Sequence, residues 1–160
     1  MLFRSRRAVA DAGLPHALIV AGPDGWGNDA LERTLAAGGA GTVVRTGALA
    51  AEDLDEVYRG AAAFLYPSLL EGFGLPVLEA MARGVPVVTS NVSSLPEVAG
   101  DAALLVEPTS EDAIAAAIVS VVTDAQVAAR LTAAGRGRAA TFSWDETARL
   151  TLEAYRSVTA

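Results

Sequence analysis

Cysteine and lysine are both missing from the 160 residues, and histidine occurs once. Without cysteine there is no disulfide, no thiolate nucleophile and no cysteine-ligated zinc, and a single imidazole leaves little for any other metal site. This composition is compatible with a reducing cytoplasm, which is the expected location. Positive charge comes from arginine alone, 12 residues against 19 Asp and Glu, for a formal net charge of -7. The acidic excess is spread along the chain and excludes a general nucleic-acid-binding surface. There is also no run of about 20 apolar residues free of charge or glycine, so no membrane span is expected. The opening Met1 to Arg7 has the basic start of a targeting peptide, but Asp11, Gly13, Pro15 and His16 fall where a secretory signal needs an unbroken apolar stretch. A truncated amphipathic helix is the simpler reading.

What is present is apolar. Hydrophobic residues make up 52% of the chain and charged residues 19%, enough to bury a sizeable core in one domain over residues 1–160. Short continuous apolar runs recur at 17–21, 42–44, 62–66, 86–89 and 103–106. Strands buried on both faces have this pattern, because helices on either side of a parallel sheet remove the need for polar alternation. Helical segments at 29–37, 51–59 and 76–83 lie between them and supply the crossovers that parallel strands require. An α/β doubly wound parallel sheet of about five strands is predicted, followed by helices that start at Ser110, at Asp124 and at a Ser143/Glu146 capping box. In the last helix Trp144, Ala148, Leu152 and Tyr155 share a face that should pack on something.

The chemistry is concentrated between Tyr66 and Val88. Pro67 stops a strand, Gly72 and Gly74 let backbone approach a ligand, Pro76 suits a first helical turn and Gly84 ends the helix. Free N–H groups and the helix dipole at such a start favour an anion, and a phosphate is the natural guest. Glu71 and Glu79 frame the loop and offer acceptors for hydroxyl hydrogens, which points to a nucleotide or a sugar nucleotide. Other patterns read as structural. Asp53-Leu54-Asp55 matches a metal-binding D-x-D, but residues two apart diverge on a helix. Gly22, Gly25 and Gly27 are spaced G-x-x-G-x-G, which is not the dinucleotide fingerprint and disfavours a dehydrogenase. His16 lies before a strand, and Trp144 and Tyr155 are read as packing residues.

With seven residues between Glu71 and Glu79, this block resembles the E-x7-E signature of retaining glycosyltransferases of family 4, which have the GT-B fold. Ala21 to Gly27, Thr46-Gly47, Ser90 to Ala103 and Phe142-Ser143-Trp144 also resemble that family's donor-side domain, and the likeness runs from His16 to Val158. The resemblance implies the C-terminal, Rossmann-like half of a GT-B enzyme, which transfers a sugar from a GDP-mannose or UDP-hexose type donor to an unidentified acceptor. It implies that Glu71, the residue assigned to catalysis, holds the donor sugar and distal phosphate. In this it acts together with the Gly72 loop and the backbone amides of Phe73, Gly74 and Leu75. By the same likeness Glu79 holds the ribose, and Thr46 and Gly47 lie near the base. No cofactor or metal is required, because helix dipole and backbone donors stabilise the leaving diphosphate.

The family's donor domain begins with a strand and a loop carrying an arginine and a lysine, and its acceptor is bound by a separate N-terminal domain. Neither the strand nor that domain is recognisable here. A missing domain or a partner chain is expected to supply them, with peripheral membrane attachment through the acceptor domain as one consequence. The competing reading is a non-catalytic nucleotide-sugar-binding module or inactive fragment. In the doubly wound order the missing strand is central, so the runs at 17–21 and 62–66 either pair directly or leave two open edges.

Overall fold

A computed structural model describes residues 12–23, 33 and 42–159. The arginine-rich opening, Gly25, Gly27 and nearly all of the helix expected at 29–37 lie outside the described residues. Among the described residues there are five strands: β1 (Leu18–Ala21), β2 (Val43–Gly47), β3 (Phe64–Tyr66), β4 (Val87–Ser90) and β5 (Ala103–Val106). The helices among the described residues are α1 (Ala51–Gly60), α2 (Leu75–Ala82), α3 (Leu95–Ala99), α4 (Glu111–Thr123), α5 (Ala125–Ala140) and α6 (Trp144–Thr159), with a 3-10 turn at Gly100–Ala102.

Every strand pairing is parallel, as expected. The strands form two sheets, however, β1-β2 and β3-β4-β5, and β1 and β3 do not pair. The α/β class therefore stands, while the expected single five-stranded sheet is divided between β1 and β3. Helix α3 has no counterpart among the predicted elements, because its Leu95-Pro96-Glu97-Val98-Ala99 is too short for a helical period to emerge.

Side chains of β4 show how the layers form. Val87 belongs to a buried cluster with Tyr58, Val77, Met81 and Leu95, whereas its neighbour Val88 belongs to another with Val106, Ile114, Ile118 and Leu131. Alternate residues of a strand point to opposite faces, so each cluster is one side of the sheet, covered by its own helices. Gly135 lets α5 lie against α2, since a Cβ there would stand 3.2 Å from Met81 Cγ. Arg138, near the end of α5, donates from Nε to the Val98 carbonyl at 3.0 Å and so ties α5 to α3.

The expected helix starts are borne out. Ser110 Oγ accepts from the Ala113 N–H at 3.2 Å, and Asp124 Oδ1 accepts from the N–H groups of Gln126 and Val127 at 2.8 and 3.1 Å. Two satisfied helix-terminal donors make Asp124→Ala an informative change: it should cost about 1 kcal/mol by chemical denaturation, and Asp124→Asn much less. The capping box at α6 is only half formed. Ser143 Oγ accepts from the Glu146 N–H, but the Glu146 carboxylate pairs with Arg149.

Helix α6 departs from expectation. Its apolar face carries Trp144, Leu152 and Tyr155, which are 81%, 54% and 65% exposed. They do not pack in a core formed by the described residues. The amphipathic pattern was legible, but periodicity cannot say whether the covering surface belongs to the same stretch of chain. No single described helix is long and apolar enough to cross a membrane.

Candidate functional site

The loop between β3 and α2 is built by hydroxyls from the opposite segment. Thr89 Oγ1 and Ser90 Oγ, both fully buried, donate to the carbonyls of Tyr66 and Ser68 at 2.9 and 2.6 Å. Ser93 accepts the Glu71 N–H at 3.1 Å and donates to the Glu71 carbonyl at 2.8 Å, while Ser94 donates to the Phe73 carbonyl at 2.8 Å. Ser93 has a φ of 62°, alone among the described non-glycine residues in being positive. That conformation costs about 1 kcal/mol or more, and here the reciprocal bonds to Glu71 hold it. The seryl and threonyl stitches are functional groups that sequence reasoning missed. The run Ser93-Ser94 before Leu95-Pro96 was the available signal, since hydroxyl residues commonly bond nearby backbone at turns.

At the far end of the loop, Gly74 caps α2 with a φ of 111°, and a Cβ there would lie 2.8 Å from Leu95 Cδ2. Leu95 is fully buried, so only glycine fits. Gly72 differs: its φ is ordinary and a Cβ would meet open space. Among the described residues the N–H groups of Phe73, Gly74 and Leu75 have no acceptor, while the Val77 N–H bonds back to the Gly74 carbonyl. Three unbonded donors thus stand at the positive end of α2, with Phe73 and Leu75 half exposed. Such an end is suited to an anion.

Both glutamates of the motif border this helix start, and each has a tyrosine beside it. Tyr58, on α1, donates its hydroxyl to Glu79 Oε2 at 3.4 Å. Burial first, then the Glu79 carboxylate, pushes the Tyr58 phenol up to about 12. Tyr66, at the end of β3, is also pushed up to about 12, by burial and then by the nearby Glu71 carboxylate. Both hydroxyls therefore stay protonated at neutral pH and remain donors. Between them lies Phe64, its ring 5.3 Å from that of Tyr58 and 5.8 Å from that of Tyr66. This aromatic ladder links the surroundings of the two acids through one packed surface.

The D-x-D residues do different work. Both are on α1, where Asp55 accepts from Arg59 Nε at 2.5 Å and Arg83 Nε at 2.6 Å. These hydrogen bonds, with Arg59 the larger cause, hold the Asp55 carboxyl below its usual range. Arg83 in turn donates to the Glu79 carbonyl at 2.9 Å and lies over the Tyr58 ring. Asp53 is exposed.

Thr46 and Gly47 close β2. Thr46 Oγ1 bonds backbone carbonyls of Gly47 and Val20, and Gly47, at a φ of 67°, accepts the Gly22 N–H at 2.9 Å. Next to them Ala21, Gly22, Pro23, Ala48, Leu49 and Leu54 line an open cleft of about 200 Å³. Leu54 lies one helical turn before Tyr58, so α1 connects the cleft to Glu79. His16 is exposed before β1.

Comparison with known proteins places the chain in a family. The family described as "Glycosyl transferases group 1" matches residues 8–138. An O-antigen chain mannosyltransferase B of Escherichia coli is 45% identical over 140 residues, covering 87% of this chain and 37% of the relative. An MMP alpha-(1->4)-mannosyltransferase of Mycolicibacterium hassiacum is 36% identical over 138 residues, covering 83% of this chain and 34% of the relative. Among solved structures, a sucrose-phosphate synthase from Thermosynechococcus elongatus superposes with a TM-score of 0.73 at 28% identity, covering 98% of this chain and 42% of the other. The chain thus spans about a third of the length of these two mannosyltransferases. With the family's pattern running through both the glycine loop and the two glutamates, this chain belongs to the group 1 glycosyl transferases.

Proposed function

We propose that the chain is the donor-binding side of a retaining glycosyltransferase that takes a sugar from a nucleotide diphosphate sugar. The observation that carries this reading is the start of α2, where the three unbonded backbone donors of Phe73, Gly74 and Leu75 follow Glu71 in the loop and precede Glu79 on the helix, Glu79 accepting from the Tyr58 hydroxyl. The amides of Phe73, Gly74 and Leu75 bind the distal phosphate. Glu71 accepts hydroxyls of the donor sugar at the reacting end, and Glu79 accepts those of the ribose. Thr46 and Gly47 stand by the base, next to the cleft they border with α1. As the bond between sugar and diphosphate breaks, negative charge grows on the leaving phosphate, and fixed backbone donors at a helix start stabilise it without rearranging. This route requires no divalent metal.

Two relatives named as mannosyltransferases favour GDP-mannose as the donor, with a UDP-hexose as the alternative. Acceptor binding belongs to the length of the relatives that this chain does not span, and any attachment to a membrane surface would come from there. Calorimetry with GDP, UDP, GDP-mannose and UDP-glucose, each with and without EDTA, tests the reading. Binding of at least one diphosphate ligand, unchanged by EDTA, is expected. Strictly magnesium-dependent binding would contradict it.

A further inference from the structure

Tyr58 is a core residue that carries its polar end to the site. It is 6% exposed, and its ring belongs to the cluster that holds Val77, Met81 and Leu95. The ring of Phe64 lies 5.3 Å away, and the Arg83 guanidinium is 4.9 Å from the Tyr58 ring centroid. Arg83 is itself held, by Asp55 at 2.6 Å and by the Glu79 carbonyl at 2.9 Å. A ring packed this closely keeps its hydroxyl in one place.

Glu79 is the opposite case. It is exposed, and an unrestrained glutamate side chain samples many rotamers. Among the described residues its carboxylate has one hydrogen-bonding side chain beside it, the Tyr58 hydroxyl, which donates to Oε2 at 3.4 Å. A carboxylate accepts about four hydrogen bonds, so this contact leaves Oε1 and part of Oε2 open. Two neighbouring hydroxyls on a sugar ring suit such a half-used acceptor. Packing alone does not ask for the Tyr58 oxygen, since phenylalanine would fill the same space. Leu54, one turn earlier on α1, lines the cleft next to Gly47, so a single helix borders both the cleft and Glu79.

We infer that Tyr58 is a positioning residue for nucleoside recognition: its hydroxyl fixes the Glu79 carboxylate in the orientation that accepts the 2′- and 3′-hydroxyls of a ribose. This rests on the reading that Glu79 meets the ribose. Tyr58 touches no ligand itself; it removes in advance the rotamer freedom that Glu79 would otherwise lose on binding. The consequence is a stronger preference for ribonucleotides over nucleotides that lack the two hydroxyls.

Calorimetry on the full 160-residue chain with GDP, UDP and their 2′,3′-dideoxy forms tests this. The wild type should bind the ribonucleotide about tenfold or more tightly than its dideoxy form, and Glu79→Gln should abolish most of that ratio. Tyr58→Phe should fold normally, bind the dideoxy form as the wild type does, and lower the ratio by about threefold to tenfold. In the Glu79→Gln background the same change should have no further effect on the ratio, because the residue through which Tyr58 acts is gone. A ratio that Glu79→Gln collapses and Tyr58→Phe leaves intact would overturn the inference and spare the underlying reading. So would an equal effect of Tyr58→Phe in both backgrounds, or a Tyr58→Phe chain that no longer unfolds cooperatively, which would make the hydroxyl a requirement of the fold. If Glu79→Gln left the ratio unchanged, or if none of the four nucleotides bound, the reading of Glu79 on the ribose would itself fall, and this inference with it.

Discussion

Gly74→Ala is expected to destabilise the chain by about 2–6 kcal/mol, whereas Gly72→Ala, two residues away, should change stability by no more than about 0.5 kcal/mol. The asymmetry comes from two observations. Gly74 has a φ of 111° and no room for a Cβ, which would stand 2.8 Å from the side chain of Leu95. Leu95 is buried in the cluster with Val77 and Met81, so relief requires moving the core or unwinding the start of α2. Backbone strain of about 1–3 kcal/mol and a similar cost of overpacking give the range. Against the roughly 5–15 kcal/mol of a whole domain this is a large fraction, of the order of 5–20 °C in unfolding midpoint. Gly72 has an ordinary φ and open space, so an added methyl group would clash with nothing in the chain, and it sits in the loop proposed to hold the donor. Gly72→Ala should therefore fold normally and bind a nucleotide sugar less tightly. Thermal unfolding of both variants, with calorimetry on Gly72→Ala, checks the pair. Equal stability losses would mean that the loop is not clamped as described.

In a complete enzyme carrying this domain, Glu71→Ala and Glu79→Ala should each lower kcat/KM for the donor by about tenfold to a hundredfold. A hydrogen bond to a charged group is worth about 1.5–3 kcal/mol, and each 1.4 kcal/mol is about a factor of ten. The two variants should differ in kind. With Glu71 proposed at the reacting end and Glu79 proposed on the ribose, Glu71→Ala should act mainly on kcat and Glu79→Ala mainly on KM. Asp53→Ala is the control, because Asp53 is an exposed residue of α1 outside the site. Asp55 is a poorer control than its place in a D-x-D suggests: through Arg83 it is coupled to the Glu79 carbonyl and the Tyr58 ring. Steady-state kinetics on the three variants separates these outcomes. If Asp53→Ala cost as much as either glutamate, the site assignment would fail.

The fold was legible wherever a residue type has one local use. Pro67, Pro76 and Gly84, and the caps Ser110 and Asp124, mark boundaries that the structure places within one or two residues. The apolar runs at 17–21 and 86–89 became β1 and β4 because both faces of a strand between helical layers must be apolar. Less was legible where the outcome depends on partners remote in sequence. Nothing in Tyr58 or Tyr66 announces that each will lie beside a glutamate of the motif, since that pairing arises only when α1, β3 and α2 pack together. The same holds for Ser93, whose two bonds span 22 residues. The exposure of Trp144 and Tyr155 on α6 was hidden for a related reason: amphipathicity encodes a need for cover and not its source.

The central claim is that the donor diphosphate lies on the start of α2 between Glu71 and Glu79. Backbone amide shifts of the isotope-labelled chain titrated with GDP-mannose, and in parallel with UDP-glucose, test it most directly. The account predicts that the largest shifts fall on Phe73, Gly74 and Leu75, with a second group at Thr46 and Gly47, and that the pattern is the same in EDTA. Saturable shifts confined to other parts of the chain, with Phe73 to Leu75 unmoved, would contradict it.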